Sequence, residues 1–180
     1  GIMGGDATAV SDSTQNVYVE AAFWWPEAVQ GRSRRYNFTT DAGHRFERGV
    51  DPALTVEHIE RITQLIIDIC GGQAGPMDDQ TLRLPECTPV TLRVDRASKV
   101  IGMPVSQAQC AEVFQRLGMP IEQSEGRITV KPPSWRFDLR IEEDLIEEVI
   151  RVIGYDKLPQ TPPLAPITPR VRPESQRSSH

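Results

Sequence analysis

Apolar residues in the first half of the chain follow two different spacings. In NVYVEAAFW, residues 16–24, they alternate with polar residues, which predicts a strand. The segment WPEAVQGRSRR, residues 25–35, predicts a short helix that opens with Pro26, a residue favoured in a first helical turn. A longer helix is predicted from residue 51 to Gly71, because apolar residues recur there at helical spacing: Val56, Ile59, Ile62, Ile66 and Ile69.

The second half of the chain predicts a different order of elements. They are, in order, a strand (91–94), a helix (95–102), a second helix (105–118), a hairpin (119–133) and a last helix that ends at Gly154. Asp95 and Ser106 are the expected N-caps of the first two helices, and Gly118 is expected to end the second. We therefore predict the α+β class, with a small domain in this half that is similar to a winged helix-turn-helix.

Turn-rich and proline-rich segments divide the chain. The stretch GGQAGPMDDQTLRLPECTP, residues 71–89, predicts a link between two parts, residues 1–87 and residues 88–160. The end of the chain, residues 161–180, is rich in proline and is expected to be an extended linker or tail. Because the chain begins abruptly on GIMGG and stops in RPESQRSSH, we expect a piece of a longer protein.

Composition excludes several classes of protein. The chain has 180 residues, 38% of them hydrophobic, and a formal net charge of −5, which argues against a general nucleic-acid binder. Its three cysteines, Cys70, Cys87 and Cys110, lack CxxC spacing, so neither a disulfide framework nor a zinc site is expected and a reducing cytoplasm fits best. No apolar run is long enough to cross a membrane.

The segment DLRIEEDLIEEVIR, residues 138–151, contains six carboxylates in fourteen positions. Its apolar residues share one half of the helical wheel: Ile141, Leu145, Ile146, Val149, Ile150 and, just beyond it, Ile153. Asp144, Glu147 and Glu148 lie on the other half at spacings of three and four residues, and Asp138 can fold back toward them. A set of carboxylates suits a hard cation such as Mg²⁺ or Ca²⁺.

A solvated helix face explains the same acidic segment without a metal. Arg140–Asp144 and Glu147–Arg151 are spaced as i, i+4 ion pairs, and acids in a first turn are favoured by the helix dipole. The residues alone leave both interpretations open.

A second charged segment is GRSRRYNFTTDAGHRFERGVD, residues 31–51. It contains five arginines and three aromatic residues: Arg32, Arg34, Arg35, Arg45, Arg48, Tyr36, Phe38 and Phe46. Guanidinium groups beside aromatic rings suit an RNA end, through phosphate pairing and base stacking, although a folded segment with surface arginines would look the same. His44 has no adjacent nucleophile and is expected to be structural.

Several motifs together resemble one family. GIMGG, VYVEAAFWWP, GRSRR, TTDAGHRFERGVDPAL, IDICGG and PPSWRFDLRIEEDLIEEVIRVIGYDKLP resemble the bacterial phenylalanyl-tRNA synthetase β chain, in order and over residues 1–163. The resemblance implies that residues 1–87 are the C-terminal half of the family's editing domain, which hydrolyses tyrosine wrongly attached to the phenylalanine tRNA. It also implies that a small winged-helix-like domain follows at residues 88–160.

The resemblance carries a set of candidate pocket residues. By motif position, Gly4, Glu20, Thr40 and Ala42 are similar to the residues of the editing pocket, whose other half lies upstream in the family. Glu20 can accept a hydrogen bond from the phenol of tyrosine, and phenylalanine would leave that carboxylate unpaired. Gly43 departs from the serine expected in this motif, and no catalytic residue is assigned within the chain.

The resemblance further implies a Mg²⁺ site at the junction with the α chain, carried by Asp138, Asp144, Glu147 and Glu148. The whole enzyme would be a cytoplasmic α2β2 ligase that uses ATP to charge tRNA with phenylalanine, with the catalytic site on the α chain. We expect the present chain to be inactive alone, with tRNA and the α chain as partners and with no membrane or specific DNA partner.

Two other functions stay open. One is a DNA- or RNA-binding winged-helix module without enzymatic role, although residues 88–160 carry only 10 basic against 11 acidic residues. The other is a metal-dependent hydrolase that uses the four carboxylates, although no nucleophile or base lies beside them in the sequence.

Overall fold

The computed structural model describes residues 1–162, 164 and 174, which form helices and one small antiparallel sheet. This mixture confirms the predicted α+β class. Most of the predicted linker, residues 161–180, lies outside the described residues.

The first half of the chain is helical. It contains α1 (Pro26–Val29), α2 (Arg32–Tyr36), α3 (Asp41–Phe46) and α4 (Thr55–Cys70), with single 3₁₀ turns at Asp6–Thr8 and Pro52–Leu54. The long predicted helix is confirmed as α4, with the second 3₁₀ turn before it. Asp51 opens that turn by accepting a hydrogen bond from the Ala53 amide at 2.9 Å, and Gly71, with a φ of 73°, ends the helix.

Two predictions for this half are wrong. Residues 16–24 are not a strand, since every strand within the described residues comes from the second half. Alternating side chains cannot make a strand where no neighbouring chain accepts and donates the backbone hydrogen bonds, and Tyr18 is accordingly 92% exposed. The single helix predicted over residues 25–35 is split into α1 and α2, because Gly31 takes a left-handed φ of 76° between them.

The second half has the predicted order of elements. It contains β1 (Val90–Arg93), α5 (Val94–Ile101), α6 (Gln107–Arg116), β2 (Ile121–Ser124), β3 (Arg127–Val130) and α7 (Glu142–Ile153). The strands lie in the order β1-β3-β2, both pairs antiparallel, with Val130 opposite Val90 on one side and Ile121 on the other.

The helix caps of this half agree with the sequence in one case and differ in the other. The Ser106 hydroxyl accepts from the backbone amide of Gln109 at 3.2 Å, and the side-chain oxygen of Gln109 accepts from the backbone amide of Ser106 at 2.9 Å. The predicted cap of α6 is therefore confirmed. Asp95 is not a cap, because β1 runs directly into α5 and Arg93 takes the N-cap position. Asp95 lies in the first turn instead, where a negative charge is still favourable.

The hydrophobic core lies in the second half. The largest fully buried side chains come from the sheet, α6 and α7: Leu92, Ile128, Val130, Cys110, Phe114, Leu145 and Val149. Helix α7 therefore packs its apolar side against α6 and the sheet, which fixes the direction in which its acidic side points.

The first half buries far less. Within residues 1–89 only Val29 and Gly43 are buried, and α4 has no buried residue although its apolar face is continuous. On that face Leu65 is 40% exposed and Ile69 is 79% exposed. Gly49 of this half lies against the Phe137 ring of the second half, since a Cβ placed on Gly49 would lie 2.5 Å from that ring.

Within the described residues, no helix combines the length and the apolar character needed to cross a membrane.

Candidate functional site

A cavity of about 860 Å³ lies in the first half of the chain. The N-terminal segment, the extended residues 20–24, α3 and the start of α4 form its walls. All four residues expected in the pocket line it: Gly4, Glu20, Thr40 and Ala42. The structure therefore brings together residues that are 38 positions apart in sequence, as the contact between Thr40 and Ile2 shows directly.

Thr40 fixes two walls of the cavity relative to each other. Its hydroxyl donates to the Ile2 carbonyl at 2.7 Å and accepts from the Gly43 amide at 3.0 Å, so it caps α3 and ties the N-terminal segment to that helix. The other predicted pocket residues, Gly4, Glu20 and Ala42, are exposed and so face the open space.

The position of Gly43 explains why a small residue suits it here. A Cβ on Gly43 would lie 3.1 Å from the Thr40 hydroxyl, 3.3 Å from the Ser33 hydroxyl and 3.7 Å from Ile2. The same helix α3 thus packs against the cap residue on one side and against α2 on the other.

The sequence reasoning missed several residues of this cavity. Arg45, Asp51 and His58 line it together with the four expected residues, and they offer charged or polar groups to a ligand. Arg45 belongs to the arginine-rich segment of residues 31–51, whereas His58 lies on α4, about one turn after the helix begins. His44, expected to be structural, is exposed, and its ring nitrogen contacts the Arg48 guanidinium at 3.0 Å.

Helix α2 contains three arginines, and its Ser33 lies near Gly43 of α3. Arg34 and Arg35 are exposed, and no carboxylate within the described residues forms an ion pair with either. Arg35 stands 5.6 Å from the ring centre of Tyr36, and Tyr36 stacks on Phe38 with 6.3 Å between ring centres. The arrangement leaves both positive charge and aromatic surface open to solvent.

The acidic residues of the second half have protein partners. Both carboxylate oxygens of Asp138 accept from Arg136, at 2.9 Å from Nε and 2.7 Å from Nη2, in a bidentate pair. Glu148, which is 7% exposed, accepts from Arg136 and from Arg151. The sequence placed Glu148 on the polar half of α7, and the structure buries it behind two guanidinium groups.

The two remaining acidic candidates differ from each other. One oxygen of Asp144 accepts from the backbone amides of Arg140 and Ile141, each at 2.8 Å, and so closes the first turn of α7. Glu147 is exposed and forms no ion pair within the part of the chain that the structure describes.

Both ion pairs expected from the spacing are wrong. The guanidinium of Arg140 donates to the Phe137 carbonyl at 2.9 Å and leaves Asp144 to its backbone partners. Arg151 pairs with Glu148, three positions before it, rather than with Glu147. Ile141, expected on the apolar half of the helix, is the N-cap of α7 and is 55% exposed.

The ion pairs shift the acidities of these groups. Its bidentate bond from Arg136 holds the pKa of Asp138 below its usual value. Burial works to raise the pKa of Glu148, but the hydrogen bonds from Arg151 and Arg136 outweigh it and the pKa is lowered. A third carboxylate, Glu142, has its pKa lowered by the Arg93 guanidinium, which donates to it at 2.6 Å.

As they stand, the four candidate ligands do not fit a divalent cation. A hard cation needs several free oxygens around one point, whereas the oxygens of Asp138 and Glu148 face arginines and that of Asp144 faces two amides. Across the described residues no group of three or more histidine, cysteine or acidic side chains could hold a metal ion. Arg136 is the residue that the sequence reasoning missed, although it lies only two positions before Asp138.

Comparison with known proteins accounts for both halves of the chain. The family model of the B3/4 domain matches residues 1–71, and that of the tRNA synthetase B5 domain matches residues 90–155. Over 180 residues the chain is 57% identical to the phenylalanine–tRNA ligase beta subunit of Burkholderia lata and 59% identical to that of Ralstonia nicotianae. The whole chain is aligned in both comparisons, and it covers 22% of each relative.

A third relative, the phenylalanine–tRNA ligase beta subunit of Cupriavidus pinatubonensis, is 59% identical over 184 positions. The chain covers 23% of that relative. The chain thus spans about a fifth of the length of these relatives. These matches confirm the resemblance to the bacterial phenylalanyl-tRNA synthetase β chain.

Proposed function

We propose that this chain, which belongs with the phenylalanine–tRNA ligase beta subunits, contributes one wall of a pocket that removes tyrosine from wrongly charged tRNA. The observation that carries the proposal is that Gly4, Glu20, Thr40 and Ala42 all line one cavity. The whole protein would act in the ATP-dependent charging of tRNA with phenylalanine, beside an α chain in an α2β2 assembly of the cytoplasm.

The polar wall of the cavity can distinguish tyrosine from phenylalanine by the phenol hydroxyl. Tyrosine and phenylalanine differ only in the phenol, and Glu20 is an exposed acceptor on the cavity wall. A tyrosine ring in the cavity can donate its phenol to that carboxylate, whereas a phenylalanine ring would remove water from it and give no hydrogen bond in return. A site built in this way rejects the analogue that lacks the hydroxyl.

The test is Ala42→Trp in the full-length enzyme. An indole at this exposed wall position would fill the space for the aromatic ring, so tyrosyl-tRNA should accumulate under multiple turnover while charging with phenylalanine continues. Ala108→Trp is the matched control, because Ala108 is also exposed but lies on α6, outside the cavity. If tyrosyl-tRNA does not accumulate in the Ala42→Trp variant, Ala42 is not part of the editing pocket.

We propose a second role, in subunit assembly, for Asp138, Asp144, Glu147 and Glu148. In this structure Arg136 and Arg151 balance the charge of two of the four carboxylates, Asp138 and Glu148. Four carboxylates exceed the charge of one divalent ion, so a basic surface on the α chain would help to balance them. A cation could bind there only if the two arginines released Asp138 and Glu148. We propose that contact with the α chain causes this release.

Titration calorimetry with Mg²⁺ tests this role. The isolated chain should bind Mg²⁺ weakly and the assembled enzyme more tightly, and replacing Glu147 and Glu148 together by Gln should weaken assembly in Mg²⁺. Equal and tight binding in both states would contradict a shared site. Unchanged assembly of the double variant would mean that Glu147 and Glu148 take no part in subunit assembly.

A duplex-binding winged-helix module is the less favoured function. Of the basic residues in the second half, Arg93, Arg96, Arg136 and Arg151 already pair with carboxylates of the same half. The other six of the ten basic residues are outnumbered by the 11 acidic residues of this half, so the half has no net positive charge. Attraction to phosphates supplies most of the affinity of duplex-binding modules.

A further inference from the structure

Exposed arginines and aromatic rings lie in α2 and directly after it, and Ser33 of α2 lies near Gly43 of α3. We call Arg34, Arg35, Tyr36 and Phe38 the basic–aromatic strip. We infer that this strip binds the single-stranded RNA end that carries the amino acid, with phosphates on the arginines and a base on the aromatic pair. The inference rests on the proposed editing function and adds a surface to it.

The backbone explains why the two rings stack in the open. Helix α2 ends at Asn37, which takes a left-handed φ of 54° and turns the chain sharply between Tyr36 and Phe38. The rings come to 6.3 Å between centres at an angle of 26°, yet Tyr36 remains 56% exposed and Phe38 37% exposed. An aromatic pair that is ordered but uncovered offers a flat face on which a base can stack.

The arginines add the charge that RNA requires. Residues 32–36 contain three arginines and no acid, in a chain whose net charge is −5. Arg35 already lies 5.6 Å from the ring centre of Tyr36, which places a guanidinium beside the stacking face. Phosphate pairing next to base stacking is the combination by which proteins bind single strands without reading a sequence.

The strip also begins beside the proposed pocket. Ser33, the residue before Arg34, has its hydroxyl 3.3 Å from the Cβ position of Gly43. The Thr40 hydroxyl lies 3.1 Å from the same Cβ position. Thr40 lines the cavity. An RNA end that lies along the strip and continues past Ser33 therefore approaches the wall of the cavity that Thr40 forms. The ester of the terminal nucleotide would then lie at the cavity mouth.

The experiment uses the full-length enzyme and two labelled RNA stem-loops, one with a single-stranded 3′ tail and one with a blunt end. Fluorescence anisotropy measures binding in a series of salt concentrations. Tyr36→Ala combined with Phe38→Ala should weaken binding of the tailed RNA about tenfold and leave the blunt RNA unchanged. Tyr36→Phe, which keeps the ring, should bind like the wild type.

Arg34→Gln combined with Arg35→Gln should lower the slope of log affinity against log salt by about 1.4, because each lost contact with single-stranded phosphate accounts for about 0.7. Arg116→Gln combined with Arg127→Gln is the matched control. These two arginines are also exposed and outside any ion pair within the described residues, but they lie in the second half. The control should leave the slope unchanged.

Hydrolysis of tyrosyl-tRNA separates this inference from the proposed function. Strip variants should raise KM and keep kcat, whereas Ala42→Trp should abolish kcat and leave binding of the tailed RNA unchanged. If strip variants bind the tailed RNA like the wild type, or if the control pair loses as much, the inference is overturned while the pocket assignment stands. Loss of subunit assembly in the strip variants would make the strip a protein interface and would equally overturn it.

Discussion

Single side chains hold the walls of the cavity in place, and Thr40 is the clearest case. Thr40→Val removes the hydroxyl and keeps the shape, so the Ile2 carbonyl and the Gly43 amide both lose their partner. An unsatisfied buried group costs about 1–3 kcal/mol, and since Gly43 is buried and Ile2 is half-buried, we expect a loss within that range. Hydrogen exchange at the Gly43 amide should accelerate, and tyrosyl-tRNA hydrolysis by the full-length enzyme should slow.

Thr40→Ser is the control for this prediction. It retains the hydroxyl and should restore both the slow exchange of the Gly43 amide and the hydrolysis rate. Equal behaviour of the Val and Ser variants would mean that the hydroxyl does not tie the N-terminal segment to α3.

Adjacent glutamates on α7 give a second prediction for single residues. Glu148→Gln removes the charge that accepts three hydrogen bonds from Arg136 and Arg151, and it leaves Arg136, which is 19% exposed, without one of its charged partners. We expect a loss of about 1–3 kcal/mol in the free energy of unfolding, because the pair is partly buried. Glu147→Gln changes the same charge at an exposed position and should cost less than about 0.5 kcal/mol. Urea denaturation in the absence of Mg²⁺ measures both, and equal losses would contradict the buried role of Glu148.

Whole elements respond to pH through the arginine–carboxylate pairs. Arg93, on β1, pairs with Glu142 at the start of α7, while Arg136 connects the segment before α7 to Glu148 within it. The hydrogen bond from Arg136 lowers the pKa of Asp138, and that from Arg93 lowers the pKa of Glu142. The pKa of Glu148 is also lowered, against the effect of its burial, by Arg151 and Arg136.

The sign of the pH effect follows from these lowered pKa values. The unfolded chain binds protons on these carboxylates near pH 4, whereas the folded chain does so only at lower pH. The pairs therefore contribute fully above about pH 5, and their contribution is lost as pH falls below about 4. The urea midpoint should be flat from about pH 7 to 5 and fall below it, and Arg136→Gln should flatten that fall. A midpoint that is unchanged down to about pH 2 would contradict the assignment.

Elements whose signals are local could be predicted from the sequence. Helix α6 carries its own cap in Ser106, and the hairpin of β2 and β3 carries its turn at Gly126. The strand expected at residues 16–24 failed because a strand also needs a neighbour, which no pattern within the segment can supply. In the same way, the candidate ligands could be selected by helical spacing, but their pairing with Arg136 depends on how the preceding segment folds against α7.

On the scale of the whole molecule, burial is concentrated in one half. The second half has a closed core between the sheet, α6 and α7, whereas residues 1–89 bury only Val29 and Gly43. Most of the stability of a domain comes from buried apolar surface, and local opening is easiest where little of it is buried. Helix α4, with its apolar face exposed, should open more readily than α7.

Hydrogen exchange on the 180-residue chain measures this difference directly. Amides in α6 and α7 should exchange at least about a hundredfold more slowly than amides in α4, which corresponds to roughly 3 kcal/mol in the free energy of opening. Catalysis depends on close positioning of the ester, so a cavity whose walls open this easily should not hydrolyse tyrosyl-tRNA at a useful rate in the isolated chain. If the proposed function is correct, an enzyme of the relatives' full length, of which these residues cover 22%, should show both slow exchange in α4 and hydrolysis. Equal protection of α4 and α7 in the isolated chain, together with hydrolysis above a buffer control, would mean that residues 1–87 form a complete and stable pocket on their own.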